Sequence, residues 1–158
     1  MIAYFDASAL VKRWVQERGT EIVQAAFEST AIKVTAMTSG AEVPAALSLA
    51  VRAGRVSPAA GESALRSFWQ EWPSFARVYL SELTARQAGD LAWNLGLRGY
   101  DAVHLASALA ASTMAGEAAT VVTFDRQLWR AAQQEGLPVI PQDIEPYLSR
   151  QRQGPRSL

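Results

Sequence analysis

Short apolar runs and longer stretches of helical periodicity alternate along the chain. Ile2–Phe5 is an apolar run that ends at Asp6, the mark of a buried strand, and Ala7–Val15 follows as a helix with Leu10, Val11 and Trp14 on one face. Gly19 stops that helix, and Thr20 is a fair N-cap for a second over Glu21–Glu28. Ile32–Met37 predicts a second strand. Thr38 or Ser39 caps a helix that runs to about Ala53 and closes at Gly54. Ser57 and Pro58 open the next helix, which ends near Trp72 ahead of Pro73. Its Phe68, Trp69 and Trp72 recur at helical spacing and read as core rather than as a platform for stacking bases. Arg77–Leu83 predicts a third strand, with Thr84 capping a helix to Leu95. Beyond Gly96 and Gly99, Tyr100–Met114 is apolar on most sides and reads as a central helix. Ala119–Phe124 is a β-branched strand ending at Asp125. Arg126–Gln134 is a helix closed by Gly136, Leu137–Ile140 a last short strand, and Ile144–Leu148 one more turn. The alternation predicts an open α/β fold: one domain over residues 1–148, with a mostly parallel central sheet of four to five strands flanked by helices.

Composition narrows the chemistry. At 158 residues, 49% hydrophobic and 19% charged, the chain has an ordinary globular balance and room for a true core. No apolar run approaches the ~20 residues of a membrane span, and the N-terminus carries an acid at position 6 and no basic leader. There is no cysteine, which excludes a disulfide framework, a zinc–thiolate site and a thiol nucleophile. A cytoplasmic protein with no membrane partner is expected. Fifteen basic and fifteen acidic residues balance, but Arg150, Arg152 and Arg156 lie in a tail without acids, leaving a net −3 on the rest of a chain whose total is zero. Residues 149–158 are therefore expected to form a basic, flexible tail, and a nucleic acid would meet a local basic patch rather than a basic protein.

Four acids stand out against this background. Asp6 in YFDASAL, Glu42 in TSGAEVPAAL, Asp101 in RGYDAVHLASA and Asp125 in TVVTFDRQL each sit where a strand or helix begins or ends, among small and apolar neighbours. A charge buried there is costly unless something pairs with it. Taken singly, Asp6 and Asp125 are also ordinary N-caps for the helices that follow, and Asp101 an ordinary first-turn acid. Glu42, inside an apolar run, has no such simple role. Asp6 and Asp125 follow strands, so both belong at the carboxyl edge of the sheet, where open α/β folds bind ligands. Four carboxylates gathered there would repel one another, and a hard divalent cation, Mg²⁺ or Mn²⁺, would relieve that repulsion. With a single His, a two-histidine acid–base mechanism is absent. Ser8, Ser39 and Thr123 carry hydroxyls able to orient carboxylates or metal-bound water. His104, three residues after Asp101, reads as a partly buried structural histidine, with contact to a substrate phosphate as the alternative.

These segments resemble the PIN-domain family, and within it the VapC toxins of bacterial toxin–antitoxin pairs, over nearly the whole chain from Met1 to about Leu148. Asp6 in DASALVK matches the family's first acid, with Ser8 at its small-hydroxyl position. Glu42 in AEVPAAL matches the second, Asp101 in YDAVHLASA the third, and Asp125 in VTFDRQL the fourth, with Thr123 where a Ser or Thr is common. The resemblance implies a PIN-like fold and cleavage of RNA by water activated at Mg²⁺ or Mn²⁺. It makes Asp6 and Asp101 the chief ligands, with Glu42 and Asp125 completing the metal shell or orienting the water. It also implies a cognate antitoxin protein and a homodimer, for which part of the aromatic segment Phe68, Trp69, Trp72 and Phe75 is expected to be exposed and buried between subunits.

Other readings fit less well. A receiver-type phosphoacceptor needs a late Lys, and the only lysines are Lys12 and Lys33. A haloacid-dehalogenase-like phosphatase wants a second Asp at the position of Ser8, and there is no Gly-Lys-Ser/Thr for a P-loop. A PIN-like module that binds RNA or protein without cutting, and a PIN nuclease acting on DNA or in RNA processing, remain as alternatives.

Overall fold

All four residues of Ile2–Phe5 are buried, because this strand, β1, lies at the centre of a sheet covered on both faces. In the computed structural model, which describes residues 1–148, β1 is joined by β2 (Ile32–Ala36), β3 (Ala76–Val78), β4 (Thr120–Val122) and β5 (Val139–Ile140). The order is β3-β2-β1-β4-β5 and every pairing is parallel, so the expected α/β architecture is present with five strands. The tail expected over 149–158 lies outside the described residues. Seven helices connect the strands among the described residues: α1 (Ala7–Leu10), α2 (Thr20–Ser29), α3 (Ser39–Arg52), α4 (Pro58–Glu71), α5 (Glu82–Leu95), α6 (Gly99–Ala115) and α7 (Arg126–Gln134). None is long and apolar enough to cross a membrane.

Side-chain alternation along β1 divides the core into two layers. Ile2 and Tyr4 face one side with Val34, Val121, Leu105 and Leu128, whereas Ala3 and Phe5 face the other with Leu10, Val23, Val43, Leu47 and Phe68. Helix α6 packs on the first side through Ala102, Ala106, Ala108 and Ala111, whose small side chains let it lie close to the sheet. Gly19, at φ +90, caps α2 over the ring of Phe124, and a Cβ there would collide with that ring.

Several boundaries differ from the expectation. The first helix tightens into a 3₁₀ turn at Val11–Arg13 instead of continuing to Val15. The third strand ends at Val78, because Ser81, not Thr84, caps α5, accepting the Thr84 N–H at 3.2 Å. Thr38 occupies the cap position of α3 without a side-chain cap bond, and Gly19 rather than Thr20 precedes α2. Phe68 and Trp72 are buried within the chain, as helical spacing suggested, and so is Phe75, but Trp69, also expected in the core, is 48% exposed and is all that remains of the aromatic surface expected for a dimer.

Strand β1 bonds to β2 on one side and β4 on the other, so the chain reverses its direction of build at the β1/β4 seam. The crevice beyond the carboxyl ends of those two strands is the place where such sheets receive ligands.

Candidate active site

Asp6 is the first residue after β1 and the N-cap of α1. Its Oδ1 accepts the Ala9 N–H at 2.9 Å and the Ser8 hydroxyl at 2.8 Å, and its Oδ2 accepts the Thr123 hydroxyl at 2.8 Å. Thr123 stands at the end of β4 and in turn accepts the Asp125 N–H at 3.0 Å, while Ser8 accepts the Phe124 N–H at 2.8 Å. The two hydroxyls thus sew the ends of β1 and β4 together around one carboxylate. Burial pushes the Asp6 carboxyl above its usual range, against the opposing charge of His104 and the three hydrogen-bond donors.

Asp125 caps α7, its Oδ1 accepting the Gln127 and Leu128 N–H groups at 2.8 and 3.0 Å. The capping role expected of these two acids and their place at the crevice therefore coexist. The Oδ2 of Asp125 lies 4.0 Å from Arg98, whose Nε is 3.6 Å from the Oδ2 of Asp101 in the first turn of α6. That Asp101 oxygen is buried and has no hydrogen-bond partner. Burial raises the Asp101 carboxyl, as do the charges of Asp125 and Asp6, and Arg98 and His104 only partly offset them.

Glu42, in the first turn of α3, meets His104 rather than another acid: Oε2 lies 2.8 Å from Nε2. The other ring nitrogen, Nδ1, is 2.7 Å from the Tyr4 hydroxyl. His104 is 3% exposed, buried as the sequence suggested, but it is bonded into the acid cluster rather than satisfied locally. Burial alone would push it down; the bond to Glu42 and the charges of Asp6, Glu42 and Asp101 raise it above its ordinary value. Asp6, Glu42 and Asp101 thus all act on His104, and Asp125 and Asp6 act on Asp101. Yet no three His, Asp or Glu side chains among the described residues are spaced to hold one metal ion together. Ser39, expected behind the carboxylates, bonds instead to Thr35 at 2.8 Å, which donates to the Phe5 carbonyl at 2.7 Å. It braces the end of β1 and bonds to none of the four acids.

Two residues of this site escaped the sequence reading. Tyr4 looks like strand core, and its only signal is that a phenol in a fully buried strand needs a partner. Arg98 carries a cation at a helix N-terminus, where the dipole disfavours one, and that misplacement is itself a signal.

The direction of these shifts sets the pH dependence of folding. Asp6, Asp101 and His104 all bind protons more tightly folded than unfolded. Such groups contribute stability below their unfolded pKa values, which is lost as pH rises through the folded ones. In chelator, the urea midpoint is expected to be higher at about pH 5 than at about pH 8. A midpoint that rises with pH across this window would contradict the reading of an electrostatically uncompensated pocket.

Known proteins resemble the chain in both sequence and fold. The model of the PIN domain family matches residues 3–134. Ribonucleases VapC45 and VapC49, from two strains of Mycobacterium tuberculosis, are each 34% identical to the chain over 145 residues, covering 92% of it and 99% of the relative. Among solved structures, FitAcB from Neisseria gonorrhoeae superposes with a TM-score of 0.62 at 19% identity, covering 88% of this chain and 96% of its own. A toxin–antitoxin complex from Klebsiella pneumoniae gives 0.56 at 15% identity, covering 78% and 86%.

Proposed function

Because the chain belongs to the PIN-domain family, we propose that it is a metal-dependent endoribonuclease acting as the toxin of a toxin–antitoxin pair. What supports this reading is the pair Asp6 and Asp101, both held above the usual carboxylate range, with Asp125 acting on Asp101 and Glu42 joined to the cluster through His104. The ribonuclease relatives and the toxin–antitoxin complex named above support the substrate and the partner. On this reading residues 1–148 are the nuclease domain, working in the cytoplasm on RNA.

The donor set suits Mg²⁺ or Mn²⁺: all oxygens, no thiolate, and a buried Asp101 oxygen without a hydrogen-bond partner. Magnesium keeps several waters and is held by one or two carboxylates, so it does not require three protein ligands. Asp6 and Asp101 would hold the ion, with Asp125 and Glu42 beside them. When bound, the ion supplies a water of lowered pKa and neutralises charge on the scissile phosphate. Ser8 and Thr123 fix the Asp6 carboxylate so that its oxygens do not swing with the loop. Glu42, aligned by His104 and through it by Tyr4, orients the attacking water and accepts its proton.

Cleavage of single-stranded RNA is expected in Mg²⁺ or Mn²⁺ and to vanish in EDTA. Undiminished cleavage by a purified sample in excess chelator would sink the mechanism. In cells, the chain alone should arrest growth, and a cognate antitoxin should restore it; no arrest by folded wild-type protein would remove the toxin role and leave the nuclease chemistry standing. Light scattering on the antitoxin-free protein tests the homodimer, and a monomer at micromolar concentration would count against it.

A further inference from the structure

Arg98 is the residue that the proposed chemistry leaves without a role. Its side chain is 75% exposed at the pocket mouth, yet it leans on two site acids, 3.6 Å from Asp101 and 4.0 Å from Asp125. It makes no hydrogen bond to either: the Asp101 oxygen it faces has no hydrogen-bond partner at all. It occupies the N-cap of α6, where its own helix dipole repels it, and its side chain makes no cap bond. Such a cation is attracted to the pocket without being locked into it. We propose that Arg98 is a displaceable counter-ion, which rests on Asp101 and Asp125 while the pocket lacks a metal and turns to a substrate phosphate once a divalent ion neutralises those acids. This rests on the ribonuclease reading and deepens it. The physics requires the exchange: a permanent positive charge between the acids would oppose a divalent cation, whereas a guanidinium at the mouth of the same pocket matches a phosphate with two parallel N–H donors.

The test uses full-length protein, with Arg98→Ala and Arg98→Lys. Calorimetric titration with Mn²⁺ alone should give roughly threefold tighter binding to Arg98→Ala than to wild type, the size of an exposed ion-pair term. With a fluorogenic single-stranded RNA, Arg98→Ala should raise KM about 10-fold, as for loss of a charged hydrogen bond, with kcat little changed. The slope of log KM against log salt should fall by about 0.7, the value for one phosphate contact on a single strand. Arg98→Lys should keep that slope while recovering only part of the KM, because an ammonium lacks the paired donors. Unchanged Mn²⁺ affinity in Arg98→Ala overturns the counter-ion; unchanged KM and salt slope, with wild type cleaving RNA, overturn the phosphate contact. A wild type inert toward RNA in both metals overturns the ribonuclease reading first and takes the phosphate contact with it.

Discussion

Asparagine at position 101 is expected to cut RNA cleavage by at least ~100-fold while the metal-free protein melts at the same temperature or higher. The two outcomes come from one fact. The Asp101 carboxylate is desolvated and repelled by Asp125 and Asp6, and its buried Oδ2 has no hydrogen-bond donor. Its charge therefore opposes folding and serves only a cation. Asparagine removes the charge with little change of shape, and the loss of a first-turn acid on α6 costs about 0.3–1 kcal/mol at most. A large drop in melting temperature would show instead that the carboxylate is there for the helix.

Asp6→Asn should lose activity to a similar extent but, unlike Asp101→Asn, should lose stability too. Asp6 receives the Ala9 N–H, the Ser8 hydroxyl and the Thr123 hydroxyl, and those hydroxyls are already committed to accepting the Phe124 and Asp125 N–H groups. Asparagine keeps the cap but puts an N–H₂ where Oδ2 accepted the Thr123 hydroxyl, so that hydroxyl's hydrogen loses its acceptor in a buried site. The acid most firmly held by the fold is thus the one whose oxygen cannot be exchanged cleanly for nitrogen. Comparing the two variants separates catalytic loss from structural loss at adjacent positions of one pocket.

Much of this arrangement is legible in the chain because charge at the end of an apolar strand has few innocent explanations. Asp6 and Asp125 mark the carboxyl ends of β1 and β4, and Thr123 two residues before Asp125 lands on Asp6 because parallel neighbours put equivalent positions side by side. Element lengths were less legible. The short α1 and the early end of β3 depend on local tightening and capping, for which Ser81 and Thr84 are equally plausible from residue type alone. Ser39 was misplaced for a related reason. One residue of helical rotation decides whether a hydroxyl faces the pocket or the sheet, and here it faces Thr35. The contacts of His104 with Tyr4 and Glu42 span 62 residues or more and no local pattern encodes them, whereas Arg98 lies three residues before Asp101 and its cation at a helix start is a local signal.

His104→Ala is expected to destabilise the fold by about 3 kcal/mol and to lower cleavage even where the variant remains folded. The imidazole is 3% exposed, so its removal leaves a cavity, and it also takes one hydrogen-bond partner from the buried Tyr4 hydroxyl and one from Glu42. When neutral, the ring donates Nε2–H to Glu42 and accepts from Tyr4 at Nδ1; when protonated, both nitrogens donate and the Glu42 bond becomes an ion pair. A double-mutant cycle with Glu42→Ala should therefore give a coupling of about 1.5–3 kcal/mol below the raised pKa of His104. The coupling should weaken as pH rises through that pKa, since the protonated form is the one the folded state favours. Glu42 freed of His104 would keep its charge but lose its aim, so cleavage should fall with kcat rather than KM. Coupling near zero at every pH, with full kcat in folded His104→Ala, would reduce this histidine to a packing residue that happens to touch the site.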